Sequence, residues 1–483
     1  MWRRIYLLLL AVRLYFALSP SYIHPDEHFQ GPEVMAGTIF NWPTHKTWEF
    51  TAEAPIRSFF PLWLVYGLPM TFFHWISPAE RAPITIFYML RTLFFLSSFV
   101  LEDWALQELI SLPRQRHLTL TLLASSYVTW TYQTHTFSNS IEVIAVLWSL
   151  VLIERIATSR SPAFLSPALL GFTAVFGLFN RITFPAFLLL PAYRVIPHIL
   201  KHPLTLAPLI ITAVITAALA INADSVQYSN GKGWVITPLN NLLYNSQTKN
   251  LAEHGLHPYY THLLANLPQL LGPALVLLRR PLNTPVLSAL GGLLALSLLP
   301  HQEARFLLPC VPLLLTSMAL PRSTKLKRAW IVSWIIFNTV YGVLMGAYHQ
   351  AGIVPAQAFL ASTDVNITDV VYWKTYNPPT WLLGPRSATI NTTTLMGAPV
   401  ETLLATLNNK MDCSKELFLA APLSATALDP LVEAKELEIV WSTRRHLNMD
   451  DLNFGEEGVV GTVKRVVGRR GLGVWRVKSR ECP

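Results

Sequence analysis

The sequence predicts an α-helical polytopic membrane protein ending in a small α+β C-terminal domain. Three observations carry this. Of 483 residues, 52% are hydrophobic and only 13% charged, where soluble globular chains carry roughly 25% charged residues. Apolar runs of near-spanning length recur between residues 5 and 348, as a chain with the bilayer for solvent requires. Beyond residue 349 they stop, and short strand-like runs such as Leu437–Trp441 and Gly458–Val463, punctuated by glycine, suggest a mixed domain. A soluble multi-domain enzyme, a disordered chain and a disulfide scaffold are excluded. Of the three cysteines, Cys310 lies in an apolar run, so at most one bridge is possible, Cys413 to Cys482.

The candidate spans read 5–18, 59–76, 84–101, 118–134, 139–156, 163–179, 182–196, 205–221, 263–278, 285–299, 305–321 and 329–348. Several fall short of the ~20 residues a crossing helix needs, so a broken or re-entrant segment is expected among them. Met1–Arg4 and the short apolar run after it also have the outline of a signal peptide. No small-x-small site precedes the acidic segment that follows, which favours an uncleaved first span. A catalytic membrane domain over 1–349, with long loops at 19–58 and 222–262, and a C-terminal domain over 350–483 are the expected divisions.

The net charge of +9 belongs to the membrane part: residues 1–349 hold 23 Lys and Arg against 14 Asp and Glu, and residues 350–483 hold 14 of each. The basic residues cluster in short connections, among them Arg3-Arg4, Arg155/Arg160, Arg194/Lys201, Arg279-Arg280 and the 322–328 group. That is the positive-inside pattern, and no aromatic-interleaved basic stripe points to nucleic acid. Asn366-Ile-Thr and Asn391-Thr-Thr fit the N-glycosylation acceptor pattern, which agrees with a cytosolic 322–328 cluster and a lumenal tail. A cytosolic N-terminus and a lumenal C-terminus require an odd number of crossings, 11 or 13, so the twelve candidates are wrong by one, with the doubtful element within 59–134.

The densest polar group follows the first span: His24-Pro-Asp-Glu-His-Phe-Gln30. Pro25 biases His24 toward an extended backbone and sets Asp26 and Glu27 just after a turn. Adjacent carboxylates beside histidines suit a general base or a divalent metal; equally, they suit acids at a helix N-terminus, where they complement the dipole. His301, Glu303 and Arg305 cluster where a span begins, either as an anion site or as an internal Glu303–Arg305 pair. Arg181 lies between two apolar runs, as an anion site or a snorkelling side chain. Asn139 and Glu142 suit sugar hydroxyls, although an N-cap explains Ser138 or Asn139 as well. His254, His257 and His262 lack the thiols or carboxylate pair of a metal set. No HExxH, Walker loop, nucleophile elbow or DxD motif is present.

His24–Gln30, Thr47-Trp-Glu-Phe50 and Ala54-Pro-Ile-Arg-Ser58 resemble the first lumenal loop of the dolichyl-phosphate-mannose-dependent mannosyltransferases of glycosyltransferase family 22. Thr136–Glu142, Asn180-Arg-Ile-Thr183 and His301–Pro309 continue the resemblance in order, over roughly residues 1–350. Within that family, Asn250–His262 with Asn266-Leu-Pro is similar to the branch that adds the fourth mannose to the glycosylphosphatidylinositol (GPI) precursor.

The resemblance implies a GT-C type fold and an inverting transfer. The β-linked mannose of dolichyl phosphate mannose would become α-1,2-linked to the third mannose of the GPI glycan in the endoplasmic reticulum lumen. It makes Asp26 the expected base, with Glu27 the rival. Arg305, His301 and Arg181 are candidates for the donor phosphate, and His24, Asn139, Glu142, His254 and His257 for sugar or acceptor contacts. A lipid-linked donor needs no metal or other cofactor. The rivals are transfer of the third GPI mannose, an oligosaccharide mannosyltransferase of the same family, and, from another class, a secondary transporter.

Overall fold

The computed structural model describes residues 2–77, 82–229, 233–253, 255–278, 283–412, 416–449, 452 and 454–478. His254, Arg279-Arg280 and both partners of the expected bridge, Cys413 and Cys482, lie outside the described residues. Two compact units are formed by interleaved segments. One comprises residues 1–14, 46–68 and 93–340, and the other 15–45, 69–92 and 341–483.

Among the described residues, four helices are long and apolar enough to cross a membrane: Phe59–Ile76, Pro83–Leu109, Pro203–Tyr228 and Thr324–Tyr348. Their faces bear exposed branched side chains, as lipid contact demands; Ile210, Ile211, Val214 and Ile215 are each more than half exposed. Leu165–Asn180, His262–Leu277 and Thr284–Ser297 are apolar but shorter.

Three expected spans are not continuous helices. Over 118–134 the helix Pro113–Ala124 stops and is followed by one turn, Tyr127–Trp130, and a 3₁₀ turn, Tyr132–Thr134. The reason is the hydroxyl content. Thr131 and Thr134 each bond back to the carbonyl four residues earlier at 2.7 Å, and Asn338 accepts the freed Tyr127 N–H at 2.8 Å. Over 182–196 the chain makes the 3₁₀ turns Phe184–Phe187 and Pro191–Val195. Over 305–321 it makes the turn Ala304–Leu307 and the six-residue helix Cys310–Leu315. Pro185, Pro191, Pro309 and Pro312 remove N–H donors there. A further helix runs past its expected end at 221 to Ser229, because Asp224 does not face water. Its carboxylate is fully buried and accepts from Ser58 Oγ, Phe59 N and Thr237 Oγ1 at 3.0, 2.7 and 2.7 Å.

The second unit is built on a five-stranded sheet. Its strands are β1 (Ile367–Tyr372), β2 (Asn391–Thr394), β3 (Glu416–Pro422), β4 (Leu437–Thr443) and β5 (Leu472–Val477), in the order β2-β1-β3-β5-β4. β1 pairs parallel with β2 and β3, while β5 runs antiparallel to β3 and β4. Both faces are covered. Val370, Tyr372, Phe418 and Ala420 pack with Ile353, Ala356 and Leu360 on one side. Val371, Leu417, Leu419 and Ala421 pack with Leu403 and Leu407 on the other. Such two-sided burial explains why β1 and β3 read as apolar runs without alternation.

Leu437–Trp441 is a strand as expected; Gly458–Val463 is not, and lies in the helix Phe454–Gly468. There Thr462 and Val466, four residues apart, are buried while Val459, Val460, Val463 and Val467 are exposed. The burial period is that of a helix, and the glycines conceal it.

Candidate functional site

The acidic segment lies in the sheet-bearing unit, at the one-turn helix Asp26–Phe29. Pro25 precedes it without a side-chain cap, and the Asp26 N–H instead donates to His24 Nδ1 at 3.2 Å. The two neighbouring carboxylates diverge sharply. Asp26 is 22% exposed in its side chain, stands 3.4 Å from His24 Nδ1, and accepts from Gln30 Nε2 at 2.5 Å. Glu27 is fully buried, 3.6 Å from His28 Nε2.

Burial pushes the Glu27 carboxyl up to about 8, against the opposing pull of the Arg91 charge and the Ile23 backbone N–H. His28 is pushed down by the same burial and by Arg91. Its ring stands edge-on to Tyr22 at 4.9 Å and parallel to Phe87 at 5.9 Å, and its Nδ1 accepts from Trp381 Nε1 at 3.4 Å. Trp381 is itself placed by Glu33, whose carboxylate takes the N–H groups of His45 and Trp381 at 3.0 and 3.2 Å and the Thr380 hydroxyl. Burial holds Glu33 near 7 despite these donors. The chemical outcome is an accessible carboxylate whose neighbours are an imidazole and an amide, backed by a buried layer that holds Glu27, His28 and the Arg91 charge.

The other unit carries the guanidinium candidates. Arg181 is 8% exposed and reaches Glu142 at 3.1 Å, Ser138 Oγ at 3.1 Å and Asn139 Oδ1 at 3.4 Å. Thr183 closes the group by donating to Glu142 at 2.6 Å. Thus Arg181 does not snorkel, and Phe137, rather than Ser138 or Asn139, precedes the helix Ser138–Thr158 with no side-chain cap. Asn139 and Glu142 are fully buried beside Arg181.

Arg305, 8% exposed, pairs with Glu303 through both Nε and an Nη at 2.8 Å for the latter. His301 Nε2 meets the same carboxylate at 2.9 Å while its Nδ1 faces the Gly255 carbonyl at 3.1 Å. Two acceptors around one imidazole suit the doubly protonated ring, and the Glu303 bond raises its pKa accordingly. His257 is tied to this loop, accepting from Gln302 N at 3.3 Å. Both guanidiniums lie over the Phe306 ring, Arg181 at 5.2 Å and Arg305 at 5.6 Å from its centroid. The sequence candidates Arg181 and Arg305, 124 positions apart by their numbers, therefore converge on one aromatic ring.

Arg91, Trp381, Glu33, Thr183, Phe306 and Asp224 are contributors that sequence reasoning missed. Arg91 sits inside an apolar run, and an intramembrane charge was an available signal. Phe306, like the other aromatics, gave none.

Residues 4–385 match the model of the Alg9-like mannosyltransferase family. The chain belongs to that family. Proteins named GPI mannosyltransferase 4 are similar throughout. That of Aspergillus oryzae is 46% identical, covering 100% of both chains; that of Yarrowia lipolytica is 40% identical, covering 93% of this chain and 96% of its own. The Saccharomyces cerevisiae protein is 39% identical over 80% of this chain and 77% of its own. This Alg9-like family member carries the GT-C type fold. The crystal structure of ArnT from Cupriavidus metallidurans bound to undecaprenyl phosphate superposes with a TM-score of 0.57 at 10% identity, covering 100% of this chain and 99% of that one.

Proposed function

We propose that this mannosyltransferase acts in GPI-anchor synthesis, transferring mannose from dolichyl phosphate mannose to the third mannose of the GPI precursor in α-1,2 linkage with inversion. The observation that carries the mechanism is the divergence of Asp26 and Glu27. A general base must be ionised and reachable; Asp26 is partly exposed among polar partners, whereas Glu27 is buried with its carboxyl raised to about 8. Asp26 takes the proton of the acceptor hydroxyl as that oxygen forms its bond to the anomeric carbon. The bond to the phosphate oxygen breaks, and dolichyl phosphate leaves with the electron pair.

The leaving phosphate needs positive charge in a water-poor setting. Arg181 and Arg305 supply it, with the His301 imidazolium beside Glu303. Their present carboxylate partners hold the guanidiniums in orientation, and a phosphate competes for the same N–H groups in a bidentate manner. His24 and His257 serve the sugar or acceptor side. Asn139 and Glu142 act through Arg181. The assigned setting is the lumenal face of the endoplasmic reticulum membrane, with residues 350–483 in the lumen. Asn366 and Asn391, both exposed, are the glycan acceptors, and the Asn391 Nδ2 rests on Asp369 at 2.9 Å.

The test is incubation of microsomes containing the protein with labelled dolichyl phosphate mannose and a three-mannose GPI precursor. A four-mannose product with an α-1,2 bond is expected. Mannose added to a two-mannose precursor or to lipid-linked oligosaccharide, and none to this acceptor, would overturn the assignment.

A further inference from the structure

A cavity of about 590 Å³ opens in the first unit, at the far end of helix Ser138–Thr158 from Glu142. Residues 142 to 154, at about 1.5 Å per residue, place Glu154 roughly 18 Å along that helix from the Arg181 group. None of the residues given roles above lines it. Its wall carries Glu108, Glu154, Arg155 and Arg194, with Tyr193 at its edge and Leu109 among its apolar lining.

The four charges cancel, but they are not equally committed. Arg194 grips Glu154 through two contacts, Nε at 2.7 Å and Nη2 at 3.0 Å, and the Thr284 hydroxyl donates to the same carboxylate. Arg155 meets Glu108 through one contact at 3.0 Å, with side chains 39% and 35% exposed; Glu108 also receives the Trp104 indole at 3.2 Å. One pair is closed and the other is open to exchange. A wall without net charge gives no advantage to an anionic ligand, yet it presents an accessible cation beside an accessible anion. It stands at a helix end among the basic connections 155–160 and 194–201.

We propose that this cavity binds a zwitterionic phosphoethanolamine group, its phosphate on Arg155 and its primary ammonium on Glu108, with the half-exposed Tyr193 ring against the ammonium. Guanidinium suits phosphate because it donates from two nitrogens at once. Carboxylate suits a primary ammonium, which offers three N–H donors; a quaternary ammonium offers none. The group therefore comes from an aminophospholipid of the surrounding leaflet or from a soluble phosphoethanolamine ester.

Native mass spectrometry of the delipidated full-length protein in detergent tests this, with phosphatidylethanolamine, phosphatidylcholine and phosphatidylglycerol added in turn. Phosphatidylethanolamine should be retained about ten-fold over either other lipid, the lower end of the scale of one charge-assisted contact. The double variant Glu108→Gln/Arg155→Gln should lose that preference while keeping its thermal midpoint in lipid-free detergent. Glycerophosphoethanolamine that displaces the lipid assigns a soluble source; failure to displace it assigns the membrane lipid. Equal retention of the three lipids by the unaltered protein, or an unchanged preference in the double variant, overturns the proposal. Should the double variant not fold, Glu108→Gln alone removes the partner of the ammonium; an undiminished preference for phosphatidylethanolamine over phosphatidylcholine in it is equally fatal.

Discussion

The two polar regions hold carboxylates away from bulk water among different neighbours. In the sheet-bearing unit, Asp26 stands beside an imidazole and an amide, and the buried Glu27, next to His28 and under the pull of the Arg91 charge, is raised to about 8. In the other unit, Glu142 and Glu303 are each in direct ion pairs with a guanidinium, and the Glu303 bond raises the neighbouring imidazole. The first arrangement leaves proton affinity within reach of neutral pH. The second fixes permanent positive charge and orients it. On the proposed roles, acid–base chemistry and anion binding have separate electrostatic settings, and a substitution in one should leave the other in place.

The largest effect is expected at Asp26. Asp26→Asn keeps the volume and removes the proton acceptor, so transfer should fall by about 10²- to 10⁴-fold with normal membrane abundance. Glu27→Gln should cost less. A reversed ranking of the two in a labelled-mannose assay would transfer the base role to Glu27.

Arg305 comes next. Arg305→Lys keeps a charge but loses the fork, and Arg305→Gln loses both. Donor affinity should fall in that order, by about 10-fold or more for Gln. If the residue only pins its loop through Glu303, abundance rather than affinity should fall, and the exchanged pair Glu303→Arg/Arg305→Glu should recover part of it. Measuring protein level and apparent affinity for dolichyl phosphate mannose in the same membranes separates the two outcomes.

How much of this was legible in the sequence differs by region. The membrane class, the GT-C fold and the family could be read from apolar runs and ordered motifs, because those signals are local and repeated. Strand Leu437–Thr443 was readable, whereas helix Phe454–Gly468 was mistaken for a strand. Its buried positions Thr462 and Val466 are hidden among exposed valines that a burial-based reading takes for core. The spans at 118–134, 182–196 and 305–321 looked continuous because hydropathy does not register hydroxyls that bond backward or prolines that break a ladder. The chemistry-bearing residue types at 24–30 were visible, but their inequality was not. It depends on burial, which packing from other parts of the chain supplies and which shares no period with the segment.

That inequality has a pH signature. Glu27 has a folded pKa near 8 against 4.5 as an ordinary carboxyl, so between those values the folded state holds a proton that the unfolded chain has released. Stability from this group is therefore fully present below about pH 4.5 and is lost as pH rises through 8, with a limiting slope of about 1.4 kcal/mol per pH unit. Glu33, held near 7, adds a slope of the same sign that ends earlier. The thermal midpoint in detergent should fall between pH 5.5 and 8.5, and Glu27→Gln should flatten the fall above pH 7. An equally steep fall in Glu27→Gln would mean that Glu27 is not the group responsible.

The smallest effect is expected at Trp381, and it sharpens what shifts Glu27 and His28 in the buried layer. Its indole N–H reaches His28 Nδ1 at a long 3.4 Å, while its fully buried ring belongs to the wall around that imidazole. Trp381→Phe retains an aromatic ring and removes the donor, so stability should drop by only about 1 kcal/mol, the scale of one neutral hydrogen bond. Burial, not the indole bond, is the leading cause of the shifts in both Glu27 and His28. The pH slope of the melting curve should therefore survive the substitution nearly intact. If Trp381→Phe instead abolishes that slope, water has entered around His28, and exclusion by this one ring, rather than the depth of the fold, sets the carboxyl apart from its neighbour.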